Sequence, residues 1–322
     1  MKAVVYDRYG PPDVLRIEEV EKPAPTDDQL LVRVHAVSLN PAEWHMRSGE
    51  LLPRLMGGNG LFRPKKTISG ADFAGRVEAV GKNVTEYKEG DEVFGRRDPN
   101  GFAEYLCVSE KPIMLKPANI TFEQAAAVPV AAMTALQALR DAGQVQAGQK
   151  VLVNGVAGGV GTFTVQIAKS YGAHVTGVCS TRNLDLVRSL GADEVIDYTR
   201  EDFSRSGQRY DLIIDNVGNH SIADYQRTLG PAGICVVIGY HTTPLLLQHL
   251  LLGPLVSRKG GKKIGNMLAH IRKDDMRLMK ELMESGKVVP VVDNVFPLDE
   301  VAEAYRYVEA KHARGKVVVA MG

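Results

Sequence analysis

The sequence predicts an α/β fold in two parts: a β-rich, barrel-like unit and a parallel sheet wound with helices. Three observations carry this expectation. Up to about residue 120, short apolar runs are punctuated by Gly, Pro, Asn and Asp. From Lys150 onward, strand-like and helix-like segments alternate. Between the first such strand and its helix, Gly155, Gly158, Gly159 and Gly161 crowd into one turn. At 322 residues, the chain is long enough for one large or two medium domains.

In the first part, "LLVRVHAVSL" sets Val32, Val34 and Ala36 against Arg33, His35 and Val37, the period of a half-buried strand. "AGRVEAVG", "GDEVFGR" and "FAEYLCVS" are further short strands. The texture changes at "TFEQAAAVPVAAMTALQALRDAG", which is alanine-rich and helix-prone. Thr121 followed by Gln124 predicts a capping box with Thr121 as N-cap.

The alternating part runs strand "KVLVNGV", a helix after Gly158, strand "HVTGVCS", helix "NLDLVRSLG" and strand "EVIDY". It continues with strand "DLIIDNVG", helix "SIADYQRTLG" and strand "GICVVIG". That order means a doubly wound parallel sheet of Rossmann type. In the tail, "DDMRLMKELMESG" and "DEVAEAYRYVEA" read as helices, and "VVDNVFPL" and "GKVVVAM" as strands that rejoin the first part. The expected division is 1–120 with 265–322 for the β-rich catalytic domain and 121–264 for the nucleotide-binding domain.

The glycine turn carries the first chemical signal. Val160, Phe163, Ile167, Ala168 and Tyr171 fall on one face of the helix that follows it. Glycine lets the backbone approach a pyrophosphate, and a helix N-terminus offers it free N–H groups. Val156, Gly158, Gly159 and Val160 are therefore candidate cofactor contacts. An acid near the end of the next strand would hold the ribose hydroxyl of NAD. That place reads Ser180, Thr181, Arg182, so hydroxyls and a guanidinium are offered to a 2′-phosphate, and NADPH is the expected cofactor.

These stretches resemble the medium-chain dehydrogenase/reductases. "NGVAGGVGTFTVQIAKSYGAHVTGVCSTRN" and "LGADEVIDY" are similar to their nucleotide-binding core. "VSLNPAEW", "GADFAGRVEAVG", "AAAVPVAAMTAL" and "GKVVVAM" extend the likeness over nearly the whole chain, nearest to the zinc-free, zeta-crystallin-like quinone oxidoreductases. The resemblance implies a GroES-like barrel built from both termini, a Rossmann domain inserted between them, and the cofactor in the cleft. It implies a dimer or tetramer, with a homodimer expected, paired through a Rossmann edge strand at Ile234–Gly239. It also implies that Thr134 lies near the nicotinamide, that Tyr198 helps hold the 2′-phosphate, and that Asn216, Val217, Ile238 and Gly239 follow the cofactor across the sheet edge.

No metal is expected. Asn40 stands where zinc-dependent relatives carry a ligating Cys, Ala71-Asp72 replaces a His-Glu pair, and no C-x-x-C occurs. His35 is expected on a strand surface and His45 in a polar loop. Without a Lewis acid, hydride transfer suits quinones and α,β-unsaturated carbonyls, whose conjugation spreads the developing charge. Asn40 is the candidate donor to the acceptor oxygen or a contact to the nicotinamide end, and otherwise a turn residue before Pro41. Trp44, the only tryptophan, either stacks on a flat acceptor or fills a core. The alternatives are a zinc-free alcohol dehydrogenase or ketone reductase, and a non-catalytic NADPH-binding protein of crystallin type.

Lys plus Arg number 39 and Asp plus Glu 38, a net charge of +1 that gives no reason to expect nucleic acid. The first residues show no signal peptide, and Cys107, Cys179 and Cys235 form no disulfide framework; together these predict the cytoplasm. The longest apolar stretch, Pro244–Val256, is too short to span a bilayer and is interrupted by Gln248 and His249, so no stable membrane insertion is expected. Within it, Leu245–Leu255 reads as a wall for a lipophilic acceptor, a membrane-touching surface, or a helix packed in the subunit or dimer interface.

Overall fold

The computed structural model describes residues 1–50, 60, 62–64, 67–258 and 261–322. These divide into two compact units. Unit 1 holds Met1–Val130, Ile271–Ser285 and Pro290–Gly322; unit 2 holds Ala131–His270 and Gly286–Val289.

Unit 1 begins with β1 (Lys2–Tyr6), β2 (Arg16–Glu19), β3 (Gln29–Ser38), α1 (Pro41–Ser48) and β4 (Thr67–Ile68). It continues with β5 (Asp72–Val80), β6 (Glu92–Arg96), β7 (Tyr105–Ser109), β8 (Ile113–Leu115) and α2 (Phe122–Ala126). Thr121 and Gln124 form the predicted capping box on α2. The chain leaves unit 1 within α3 (Pro129–Gln137). Pro129 ends the run of helix predicted from Thr121, because a proline at that point removes an N–H donor.

Unit 2 follows with β9 (Lys150–Asn154), α4 (Gly159–Ser170), β10 (His174–Cys179), α5 (Leu184–Ser189) and β11 (Glu194–Asp197). Then come β12 (Tyr210–Asp215), α6 (Ile222–Thr228), β13 (Leu229–Val237), α7 (Thr243–Arg258) and β14 (Lys263–Asn266). The chain returns to unit 1 with α8 (Lys273–Glu284), β15 (Val292–Pro297), α9 (Val301–Glu309) and β16 (Lys316–Ala320).

The sheet of unit 2 is parallel, in the order β11-β10-β9-β12-β13-β14. Counted within the unit this is 3-2-1-4-5-6, the doubly wound order with its reversal beside β9. Leu152, Ile213, Tyr225 and Val237 belong to its core. Burying each such side chain contributes about 1.5–3 kcal/mol. The edge strand is β14, not β13: β13 pairs on both sides, with β12 and β14. "KIGN" is too short and polar to read as a strand by itself, which is why the sequence placed the edge at Ile234–Gly239.

Helix α4 departs from the one-faced pattern. Gly161 through Ala168 are all buried. The polar residues on the supposed outer face are satisfied locally: Thr164 Oγ1 donates to Val160 O at 2.9 Å, and Gln166 exchanges hydrogen bonds with the backbone of Val289.

Unit 1 is built on β3, which pairs antiparallel with β5, β7 and β16. Strand β16 brings the C-terminal segment back onto β3, and β15 joins β16 in parallel. A smaller sheet, β2-β1-β4, lies beside it. The alternation read in β3 holds at Arg33 and His35 but fails at Val37, which is fully buried. Register shifts in the β3–β5 ladder and the packing of α2 on β3 bury both faces there. His35 stacks on Phe122 of α2, with ring centroids 4.4 Å apart.

The expected domain limits move at both ends. Residues 121–130 lie in unit 1, because α2 packs on β3, β5, β6 and β16. Residues 265–270 stay in unit 2, held by β14 pairing and by Gln137, which bonds the backbone of His270 through both its amide nitrogen and its oxygen.

On α7, His249 and Gly253 face inward, while Leu247, Leu250, Leu251 and Leu255 are exposed. Among the described residues, no helix is long and apolar enough to cross a membrane.

Candidate active site

The predicted cofactor residues fall on unit 2 except Asn40, which lies on unit 1 together with Trp44, the other member of the predicted catalytic pair. In unit 2 the glycine turn closes as its sequence requires. Gly155 adopts φ +72°, a left-handed conformation that glycine accepts without strain. Gly158 caps α4, and Gly159 and Val160 open its first turn. A Cβ on Gly161 would stand 2.3 Å from Gly155 O and 2.6 Å from the Val156 backbone, so α4 packs on its own turn more closely than any side chain allows. At Gly158 the nearest atom would be 3.5 Å away. Val156 is fully buried, and its N–H reaches Val178 O on β10 at 3.2 Å.

At the next corner, β10 and β11 run side by side with Cys179 opposite Asp197. Ser180-Thr181-Arg182 and Tyr198 therefore emerge together, and the Tyr198 N–H donates to Cys179 O at 3.0 Å. Arg182 and Tyr198 are exposed. The sequence reading missed Asp197. Its carboxylate accepts from Thr181 Oγ1 at 2.5 Å and from the Thr199 backbone and hydroxyl at 3.0 and 2.8 Å. The Thr181 bond, helped by Thr199, holds its pKa below the usual carboxylate value. The Thr181 hydroxyl is thus spent on Asp197 and keeps only acceptor capacity.

At the reversal point, Asn216, Val217, Ile238 and Gly239 meet. A Cβ on Gly239 would stand 2.2 Å from Asn216 O, so the two loops touch backbone to backbone. Asp215 organises them and was also missed. One oxygen accepts from Asn154 Nδ2 at 3.0 Å and from Val217 and Gly218 N–H at 2.8 Å each; the other accepts from Tyr225 OH at 2.7 Å. Asn216 donates to Asn154 O at 3.1 Å, while its own buried Oδ1 has no hydrogen-bond partner. Thr134 is buried in α3. An unspent amide oxygen, a tight glycine turn and a helix start fit a bound dinucleotide.

In unit 1, Asn40 caps α1 geometrically but makes no side-chain cap bond. Its amide nitrogen donates to Asp72 Oδ2 at 3.0 Å and to Glu43 Oε1 at 3.2 Å. Its oxygen accepts from Lys316 Nζ at 2.7 Å. Both amide hydrogens are committed to carboxyls, which leaves none for a substrate oxygen. The role this geometry gives Asn40 is to hold the β3–α1 corner, in place of the donor role read from the sequence.

The sequence also missed the partners of Asn40. Lys316 is buried and donates to Leu39 O at 2.7 Å as well. Asp72 is fully buried and accepts the Val130 N–H at 3.0 Å. Burial lowers the Lys316 pKa and raises that of Asp72, each opposed by the charge of the other. A lysine inside "GKVVVAM" and an acid opening "DFAG" were the available signals. Trp44 is half-buried on α1; the His45 ring stacks on it at 4.4 Å, and Lys311 Nζ lies 5.5 Å from its ring centroid. His45 is helical rather than in a loop, with Nδ1 2.8 Å from a Glu50 carboxyl oxygen.

Residues 26–118 match the family described as the alcohol dehydrogenase GroES-like domain, and residues 190–319 match the zinc-binding dehydrogenases. The chain is 38% identical to the chloroplastic NADPH-dependent alkenal/one oxidoreductase of Arabidopsis thaliana, over 99% of this chain and 79% of that protein. It is 36% identical to the 2-methylene-furan-3-one reductase of Solanum lycopersicum, with the same coverage. Among solved structures, the quinone oxidoreductase from Coxiella burnetii superposes with a TM-score of 0.87 at 31% identity, covering 100% of this chain and 99% of that one.

The zinc in the family's description does not fit the residues present. A cation at Asn40 would meet the Lys316 ammonium already seated on its oxygen, and among the described residues no group of three or more His, Cys, Asp or Glu is placed to hold a metal. Fold, glycine turn and relatives agree, and the chain belongs to the medium-chain dehydrogenase/reductases, in the branch of the quinone and alkenal oxidoreductases.

Proposed function

We propose that the protein is an NADPH-dependent reductase of α,β-unsaturated carbonyls and quinones that works without zinc. One observation carries the cofactor choice: β10 ends in Ser180, Thr181 and Arg182 with Tyr198 beside them, and the carboxylate at this corner, Asp197 of β11, is taken up by Thr181 and Thr199. The relatives named as alkenal/one and quinone oxidoreductases support the acceptor class. Bound NADPH supplies the hydride. The start of α4, with the N–H groups of Gly159 and Val160, receives the pyrophosphate. Thr134, Asn216, Val217, Ile238 and Gly239 receive the nicotinamide half. Asn40 positions the β3–α1 corner, and Trp44 borders the acceptor.

The enzyme is further proposed to be a cytoplasmic homodimer. The three unpaired cysteines support the compartment, although a relative is chloroplastic. The edge strand β14 and the exposed leucines of α7, which packs on β14, support the pairing surface.

One assay decides the catalytic reading. NADPH oxidation is followed by absorbance with a panel of quinones, alkenals, simple ketones and, in reverse, alcohols. Turnover with quinones or alkenals is expected. Activity confined to ketones and alcohols, or none with any acceptor, would overturn it.

A further inference from the structure

Reduction of an enone consumes a proton as well as a hydride, and unit 1 contains a carboxyl arranged to hold one. Glu43 stands in the first turn of α1, half-buried. Its Oε1 accepts from Asn40 Nδ2 at 3.2 Å, and its Oε2 accepts from Tyr305 OH at 3.0 Å. Beyond Tyr305, Ser69 Oγ lies a further 3.0 Å away. Two carboxyls, Glu43 and Asp72, thus share a single amide, and one ammonium, Lys316, sits on that amide's oxygen.

The other charges nearby are already paired. Arg96 of β6 is bound to Asp98 at 2.6 Å while its charge also favours an ionised Asp72, and Arg47 of α1, which lies over the Tyr305 ring, is paired with Glu309 of α9. Around one ammonium in a low-dielectric interior, two ionised carboxylates are disfavoured, so one of them keeps a proton. Asp72 receives a backbone N–H from Val130 that stabilises its charged form. Glu43 instead faces a hydroxyl that can turn and accept, so it is the member suited to carry the proton.

We infer that Glu43 stores the proton consumed by the reduction and releases it at the Asn40–Trp44 end of α1. The inference rests on the reductase reading above. Burial, and then the charge of Asp72, push the Glu43 carboxyl up to about 7, so it is part-protonated near neutral pH. In the balanced step, the hydride takes two electrons to the β-carbon of the enone. The α-carbon takes its proton from a water molecule, the Glu43 O–H bond breaks as that water regains a proton, and the carboxylate is then reprotonated from solvent. Glu43 acts through that water and is a positioning residue in this scheme.

The test pairs kinetics with a direct titration. In wild type, kcat/KM with NADPH and an alkenal should fall about tenfold per unit above pH ~7. Glu43→Gln should lose that limb and be about a hundredfold slower at neutral pH. Glu43→Asp, which keeps a carboxyl, should retain the limb. In nucleotide-free protein labelled with 13C at glutamate side chains, one carboxyl should titrate near pH 7 and vanish in Glu43→Gln. Should that variant not fold, Tyr305→Phe replaces it and should displace the titration midpoint. An unchanged alkaline limb in Glu43→Gln, or no glutamate titrating near neutrality, overturns the inference. If wild type turns over no acceptor, the reductase reading fails, and the carboxyl titration alone then decides whether the proton is stored.

Discussion

Replacing Gly161 with alanine tests the link between packing and binding in unit 2. The added Cβ would stand 2.3 Å from Gly155 O and 2.6 Å from the Cα and carbonyl carbon of Val156, all backbone atoms. No rotamer change relieves such a contact, and the start of α4 must retreat by more than 1 Å to reach an ordinary separation of 3.4 Å. Overpacking of this kind costs about 1–3 kcal/mol, partly offset by up to about 1 kcal/mol of better helix propensity. The effect on binding should be larger than the effect on stability. A retreat of that size breaks hydrogen bonds from the helix start to a phosphate, each contributing about 1.5–3 kcal/mol. The Kd for NADPH, measured by calorimetry, should rise about ten- to a hundredfold. Gly158→Ala is the control: its nearest neighbour would be 3.5 Å away, and its φ of −81° suits any residue. It should fold like wild type in urea unfolding. If Gly161→Ala binds NADPH as tightly as wild type, α4 does not carry the phosphates.

Two further variants probe the remaining corners. Arg182→Ala should raise the KM for NADPH by about one to two decades and leave that for NADH nearly unchanged, since only the former has the 2′-phosphate; equal increases would remove Arg182 from that subsite. Lys316→Met strips the ammonium from Leu39 O and Asn40 Oδ1, which are both bonded at 2.7 Å. It should cost about 3–5 kcal/mol in urea unfolding at pH ~8. The cost should shrink near pH ~5: without the cation the folded-state carboxyl pKa values rise further, the native state binds more protons than the unfolded one, and stability grows as pH falls. An equal cost at both pH values would mean that Lys316 does not neutralise Asp72 and Glu43.

The parts of the fold that were legible are those encoded locally. The order of β9 to β13 with their helices follows from a two-to-3.6 switch in hydrophobic period that each segment carries by itself, and the Thr121 capping box is a four-residue signal. Strand β14 was not legible, because its place depends on a neighbour already in position. The unit 1 cluster was hidden for a stronger reason. Asn40 and Lys316 are separated by 276 residues, and nothing near either position announces the other. Asp197 and Asp215 lie at strand ends, where an acid reads as an ordinary turn residue until the loops it gathers are seen.

The register of β3 explains why a lysine can occupy this interior. Ser38 pairs with Val318 on one side and with Asp72 on the other, and Asp72 pairs with Arg96. Two residues before Val318, Lys316 projects to the same side of the ladder as Ser38 and Asp72. A buried ammonium there is tolerated only while Leu39 O, Asn40 and the carboxyls surround it, and the carboxyls are tolerated only while the ammonium remains. A cationic centre is thus kept at this corner by a side chain. Unlike a metal with an open coordination position, a buried ammonium that points two of its three donors at Leu39 O and Asn40 Oδ1 offers a substrate oxygen no Lewis acid. An acceptor that spreads its own charge by conjugation does not need that help, which is why the acceptor class and the composition of this corner point to the same chemistry.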